Sequence, residues 1–259
     1  MKAVFSHWSA PKTAHMTPQW RVMAALAVSY AARHYKEVVL VTDGAGEKLF
    51  APLRLPFTEV DLRLEGFKAP LGAWAAGKLR TYYLQTEPFI HIDFDVFLDR
   101  CWPAARFNAA KYLVQSTESH ERYIHSLSLI PDEWRNELSL PPKLFYAYNM
   151  GVFGGTQADS IAEYAERALY AVRNSGDFHP HTMPVFEQAF FARFSQDYGF
   201  DVTEVLPGPD IDAQAEELGY IHLMGAKEGC AECMGKVRRR LQDLDPDLLL
   251  RAELGAAYG

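Results

Sequence analysis

The chain has 259 residues, 49% of them hydrophobic and 23% charged, with a formal net charge of −7 at pH 7. That length suits one large domain or two small ones, and it buries enough apolar surface to fold without disulfide or metal staples. The acidic balance excludes the broad basic field of a nucleic-acid binder. The most basic run, Lys236 to Arg240, falls in a helical pattern and reads as a solvated face. No apolar stretch approaches the about 20 residues that span a bilayer. The first residues lack the apolar core of a signal peptide, and three cysteines are too few for a disulfide framework. The expectation is a cytoplasmic protein with no stable membrane insertion and no nucleic-acid partner.

Lys2 to Ser9 reads as a short apolar strand. Thr17 to Tyr35 carries Trp20, Met23, Ala24, Ala27, Val28 and Ala31 at helical spacing, with Thr17 as N-cap before Pro18. Glu37 to Thr42 (EVVLVT) is a buried strand that runs into the turn signal Asp43-Gly44. A short helix from Glu47, a strand over Phe57 to Leu62 and a helix over Leu71 to Gln85 follow. Pro88 to Leu98 then reads as one strand. Alternation of this kind predicts an α/β fold with a mostly parallel sheet, helices on both faces and a ligand at the carboxyl ends of the strands. The first connection, Ser6-His7-Trp8-Ser9, lacks the G-x-G-x-x-G fingerprint, so an NAD-type site is not expected.

The second half is less regular. Lys111 to Ser116 is a strand, and Phe145 to Gly155 is apolar and ends in two glycines. Gln157 to Asn174 and Pro184 to Phe194 have amphipathic helical patterns. Val202 to Leu206 and Tyr220 to Met224 are short strands, and a charged helix closes the chain. No linker interrupts it, so a single domain over 1–259 is expected, with a smaller, mixed sub-lobe in the C-terminal half. The single C-x-x-C, Cys230-Ala231-Glu232-Cys233, falls short of the four ligands of a structural zinc site and reads as two buried or helix-start cysteines.

The stretch with chemistry in it is PFIHIDFDVFLD, residues 88–99, where Asp93 and Asp95 interrupt an apolar run. On a strand, residues i and i+2 face the same side, about 7 Å apart along the chain. Two carboxylates about 4 Å apart at an effective dielectric of 20 repel by about 4 kcal/mol. Basic side chains, protonation of one acid, or a divalent cation can each neutralise the pair. A hard cation such as Mg²⁺ prefers carboxylates together with substrate phosphates.

The chain resembles nucleotide-sugar-dependent glycosyltransferases of the GT-A fold, especially the retaining, glycogenin-like and galactosyltransferase-like branch. It also resembles a bacterial group with a similar PFIHIDxD segment. Four segments carry the likeness: His91 to Val96, Tyr148 to Phe153, Phe186 to Phe191, and His222 to Lys227. The resemblance implies that Asp93, Asp95 and His222 hold Mn²⁺ or Mg²⁺. It implies that Asn149, Glu187 and Gln188 lie at the reacting sugar, with Glu187 as the candidate nucleophile or stabiliser. It implies that Asp93, Lys78, Gly151, Gly225, Lys227, His7 and Trp8 contact the donor. Residues 1–100 then form the nucleotide-binding half, and 101–259 the half that completes the metal and acceptor sites.

This chain departs from the family pattern at Met150, at the asparagine missing after Gln188, and at Glu228 beyond Lys227. The expected activity is transfer of a sugar, UDP-linked by preference, to an acceptor that is a glycan, a small molecule or a peptide, with retention. Two alternatives stand beside it. One is a nucleotide-sugar-binding protein without turnover. The other is a D-x-D phosphohydrolase, although that class expects the motif after the first strand and a small or β-branched residue where Phe97 stands.

Overall fold

The structure, a computed structural model, describes residues 1–11, 16–140, 146–175, 178–223 and 229–255. Its elements in chain order begin with β1 (Lys2–His7), α1 (Pro18–His34), β2 (Val38–Thr42), α2 (Gly44–Phe50), β3 (Glu59–Asp61), α3 (Ala76–Tyr83), β4 (Phe89–Ile92) and β5 (Val96–Leu98). Then come α4 (Ala104–Phe107), β6 (Tyr112–Ser119), α5 (Ile124–Ser128), α6 (Asp132–Glu137), β7 (Tyr146–Gly155) and α7 (Ala158–Asn174). The chain continues with α8 (Phe190–Asp197), β8 (Val202–Glu204), α9 (Ile211–Leu218), β9 (Tyr220–His222), α10 (Ala231–Leu244) and α11 (Pro246–Leu254). Among the described residues a seven-stranded sheet runs in the order β3-β2-β1-β4-β7-β6-β8, and β5 and β9 form a second, two-stranded sheet. The class is α/β with a mostly parallel sheet, as the alternation of patterns predicts.

The chain divides into two compact units. One comprises Lys2–Glu65, Ile92–Ala104 and Asp212–Gly259. Here β1 pairs parallel with β2, and β2 with β3. Helix α1 starts where the Thr17 hydroxyl accepts the Trp20 N–H, with Pro18 in the first turn. It buries Val22, Met23, Leu26, Val28 and Tyr30, and it packs against α10 and α11. Arg21 fastens α1 to the chain end, its Nε donating to the Ala252 carbonyl at 2.7 Å. His34 Nε2 lies 3.0 Å from the Leu98 carbonyl and 2.9 Å from that of Asp99, tying α1 to the end of β5.

The other unit comprises Met1, Gly66–His91 and Ala105–Ile211. Strand β6 pairs antiparallel with β7 and parallel with β8, and α3 packs on α7. Tyr82, Phe153, Tyr164 and Phe191 form its aromatic core, with ring centroids 4.6 to 5.9 Å apart along the chain of contacts. The two glycines that end β7 are there for space. A Cβ on Gly154 would stand 2.1 Å from the Phe89 carbonyl oxygen, and one on Gly155 2.0 Å from that of Lys111.

Two expectations are corrected. Pro88 to Leu98 is not a single strand: β4 ends at Ile92, Asp93 to Asp95 make a turn, and β5 begins at Val96. The Val96 N–H donates to the Asp93 carbonyl at 3.0 Å, closing that turn. Likewise the helix expected over Pro184 to Phe194 opens with a π-helical turn, Val185–Ala189, before α8.

Candidate functional site

The first unit gathers Asp93, Asp95 and His222. One ligand atom from each lies within 4.8 Å of the other two, and no other group of three or more His, Cys, Asp or Glu side chains among the described residues converges in this way. The pairing of β5 with β9 does the positioning. Val96 stands opposite His222, and the Leu223 N–H donates to the Asp95 carbonyl at 3.1 Å. His222 Nε2 is 3.4 Å from Asp95 Oδ2. Asp95 is buried, while Asp93 and His222 are half-buried.

Two carboxylates and an imidazole form a mixed oxygen and nitrogen donor set of the kind a hard or borderline divalent cation takes. Ligand bonds of about 2.1 Å put neighbouring donors about 3 Å apart. The observed spacing therefore fits one ion with small side-chain adjustments.

The residue between the acids holds the turn. Phe94 stacks on Phe5 and Phe50, at centroid distances of 5.0 and 5.2 Å, and lies 4.9 Å from the Trp20 ring. His7 and Trp8, expected at the donor, are each 7% exposed. The His7 ring packs edge-on against Trp20 and Phe50. At the end of β2, Asp43 accepts hydrogen bonds from the Ser9 N–H, the Ser9 hydroxyl and the Gly46 N–H, at 3.0, 2.7 and 2.7 Å. Burial by itself raises the Asp43 pKa, but these bonds and the nearby His7 outweigh it and hold the carboxyl below its usual range. Gly225 and Lys227 lie outside the described residues.

The second unit gathers Lys78, Asn149, Gly151, Glu187 and Gln188. Lys78 Nζ lies 2.8 Å from Glu187 Oε1 and donates to the Met150 carbonyl at 2.8 Å. Glu187 is fully buried, and the Tyr164 hydroxyl donates to its backbone carbonyl. Burial, reinforced by the Lys78 charge, holds the His91 pKa well below the usual histidine range. The Asn149 amide is used at both ends: Nδ2 donates to Glu118 Oε1 at 2.9 Å, and Oδ1 accepts the Gly151 N–H at 3.0 Å. Tyr123 Oη stands 2.5 Å from both Glu118 Oε2 and Gln188 Oε1.

Glu118 thus joins Asn149 to Tyr123, which in turn contacts Gln188, and it stands outside the candidate residues read from the sequence. In the β6–β7 register Ser116 faces Asn149 and Glu118 faces Ala147, which makes Glu118 and Asn149 diagonal neighbours on one face. A strand-end glutamate followed by a tyrosine five residues on gives no pattern of its own.

Fold and donor set together define an α/β protein with a two-aspartate, one-histidine centre. The chain belongs to a family of unknown function, DUF6734, whose model matches residues 1–252. No curated protein matches it in sequence.

Solved structures that it resembles include the galactosyltransferase LgtC in complex with donor and acceptor sugar analogs. That match has 12% identity and a TM-score of 0.45, over 92% of this chain and 95% of that one. Mouse xyloside xylosyltransferase 1, in its apo form, matches at 12% identity and a TM-score of 0.44, over 78% of this chain and 84% of that one. A glycosyltransferase involved in glycosylation of the major capsid of PBCV-1 matches at 15% identity and a TM-score of 0.44, over 91% of this chain and 100% of that one.

Proposed function

We propose that the chain is a metal-dependent glycosyltransferase of the GT-A type. It transfers a sugar from a nucleotide-sugar donor, UDP-linked by preference, to a glycan, small-molecule or peptide acceptor, with retention of configuration. The observation that carries this reading is the convergence of Asp93, Asp95 and His222. Two of these residues come from a turn in the first half of the sequence and the third from a strand near its end.

Asp93, Asp95 and His222 would hold Mn²⁺ or Mg²⁺, which when bound supplies Lewis-acid stabilisation of the departing diphosphate. Lys227 and Gly225 are assigned to the phosphates, and His7 and Trp8 to the nucleoside end. Asn149 and Gln188 orient sugar hydroxyls, fixed in turn by Glu118 and Tyr123. Glu187 has no exposed surface, so its role shifts from nucleophile to holding the Lys78 ammonium in place.

A second reading, nucleotide-sugar binding without turnover, is favoured by two details. One oxygen of the buried Glu187 carboxylate is engaged in an ion pair with Lys78, and the Gly151 N–H is already donated to Asn149.

A thermal-shift screen of nucleotide sugars, with and without Mn²⁺ or Mg²⁺, tests both. A ligand at a hundredfold excess over its Kd adds about 2.7 kcal/mol of apparent stability. A UDP-sugar should raise Tm only with metal present, and slow donor hydrolysis should accompany it if the chain turns over. Binding with no hydrolysis and no product under any acceptor selects the second reading. Phosphate release from simple phosphomonoesters, with no nucleotide-sugar shift, sinks both in favour of a phosphohydrolase.

A further inference from the structure

The C-x-x-C pair has no part in the proposed transfer. Cys230 and Cys233 are bonded to each other, with Cα atoms 5.3 Å apart, at the start of α10. Cys230 is the N-cap of this helix, and its sulfur accepts the Cys233 N–H at 3.2 Å. Both cysteines are half-buried, so a small thiol reaches them without unfolding the chain.

As a staple the bond achieves little. The stabilisation from a disulfide grows with the length of the loop it closes, and this loop joins positions only three apart. Helix α10 has anchors of its own: Met234, Val237 and Leu241 are buried, Arg238 pairs with Glu253 of α11, and Arg240 pairs with Asp99. An N-cap sulfur that accepts a helix N–H is also where a thiolate is stabilised when the bond opens, by hydrogen bonding and by the positive end of the helix. Nearby charges on the helix are Glu232, paired with Lys236, and Arg239.

We infer that Cys230–Cys233 is a reversible thiol–disulfide exchange site, with Cys230 as the reactive sulfur and a dithiol as its reductant. In the reducing direction a thiolate of the dithiol attacks the Cys230 sulfur. The S–S bond breaks, and Cys233 leaves and takes up a proton. The second thiolate of the dithiol then attacks the dithiol sulfur of the mixed disulfide and releases Cys230 as the thiolate held by the Cys233 N–H. Two electrons pass to the protein, the reductant becomes a cyclic disulfide, and the two protons of the dithiol end on the cysteine pair. A disulfide oxidant reverses the same steps.

The test uses the full chain carrying Cys101→Ser, which removes the exposed free cysteine. The folded protein is equilibrated against a series of glutathione redox buffers, alkylated, and its modified thiols are counted by mass. The expected result is a two-electron transition within the series, with no thiols alkylated at the oxidising end, two at the reducing end, and an unchanged circular dichroism spectrum. A pair that stays closed until denaturant is added is a structural bond, and a pair that stays open throughout is two ordinary thiols. Either outcome overturns the proposal.

A second measurement compares single cysteines in the same background. With Cys233→Ser, a thiol pKa at Cys230 lowered by one unit gives about tenfold more thiolate at pH 7, and weaker intrinsic nucleophilicity reduces this to about threefold in rate. Iodoacetamide should therefore modify Cys230 about threefold faster than it modifies Cys233 in Cys230→Ser. Equal rates overturn the assignment of Cys230 as the reactive sulfur. None of these readouts depends on donor, metal or sugar transfer.

Discussion

The two clusters of polar side chains are built on opposite plans. Asp93, Asp95 and His222 bring two acids together with one imidazole, two of the three residues half-buried, on a turn and a short two-stranded ribbon. Lys78 and Glu187 bring one acid to one ammonium, sealed between a helix and a π-helical turn. In the first cluster donor atoms converge on a point that an ion can occupy. In the second, opposite charges meet directly, and Lys78 also donates to a backbone carbonyl. Convergent oxygen and nitrogen donors offer a place where a divalent cation can be held. A matched, buried pair is a support for the chain itself.

The largest expected effect comes from breaking the matched pair. Lys78→Met leaves the Glu187 carboxylate buried without its ammonium, a change that costs about 3 to 5 kcal/mol in comparable settings. Urea unfolding should show that loss, and Lys78→Met combined with Glu187→Leu should recover most of it. A single-variant loss below about 1 kcal/mol would mean that the pair is not the support described.

Asp95→Ala should do the reverse: little change in metal-free stability, but Mn²⁺ affinity lower by about a hundredfold, or about 2.8 kcal/mol. Titration calorimetry reads this directly, and an unaltered Mn²⁺ affinity removes the metal assignment.

The smallest effect is at Asp43. Because its folded pKa is lowered, its contribution is present above the unfolded value of about 3.9 and is lost as pH falls through the folded value. Asp43→Asn should therefore cost about 1 kcal/mol at pH 6, and the difference from the parent should shrink toward pH 3. A gap that stays constant with pH would show that the charge adds nothing to the caps on Ser9 and Gly46.

Much of the fold was legible because burial on both faces leaves continuous apolar runs. β2 (VVLVT) is buried at every position, and it reads as a strand without any partner in view. Thr17-Pro18 likewise announces the start of α1 locally. The break at Asp93 was hidden by Phe94, whose apolar side chain made two strands and a turn look like one strand. Convergence of His222 on the acids could be expected only from the resemblance, since the register of β5 against β9 leaves no trace in either segment alone. Glu118 was invisible for a related reason: its partner Asn149 is 31 positions away, and nothing near Glu118 anticipates the contact.

Motif notation writes the middle of D-x-D as a wildcard, yet in this chain the wildcard is the anchor. Phe94 is gripped by Phe5, Trp20 and Phe50, which belong to three separate elements of one unit. A substitution that loosens that aromatic cluster is therefore expected to reach the flanking carboxylates through the turn. Reading the motif by its aspartates alone leaves out the side chain that ties the turn to its unit.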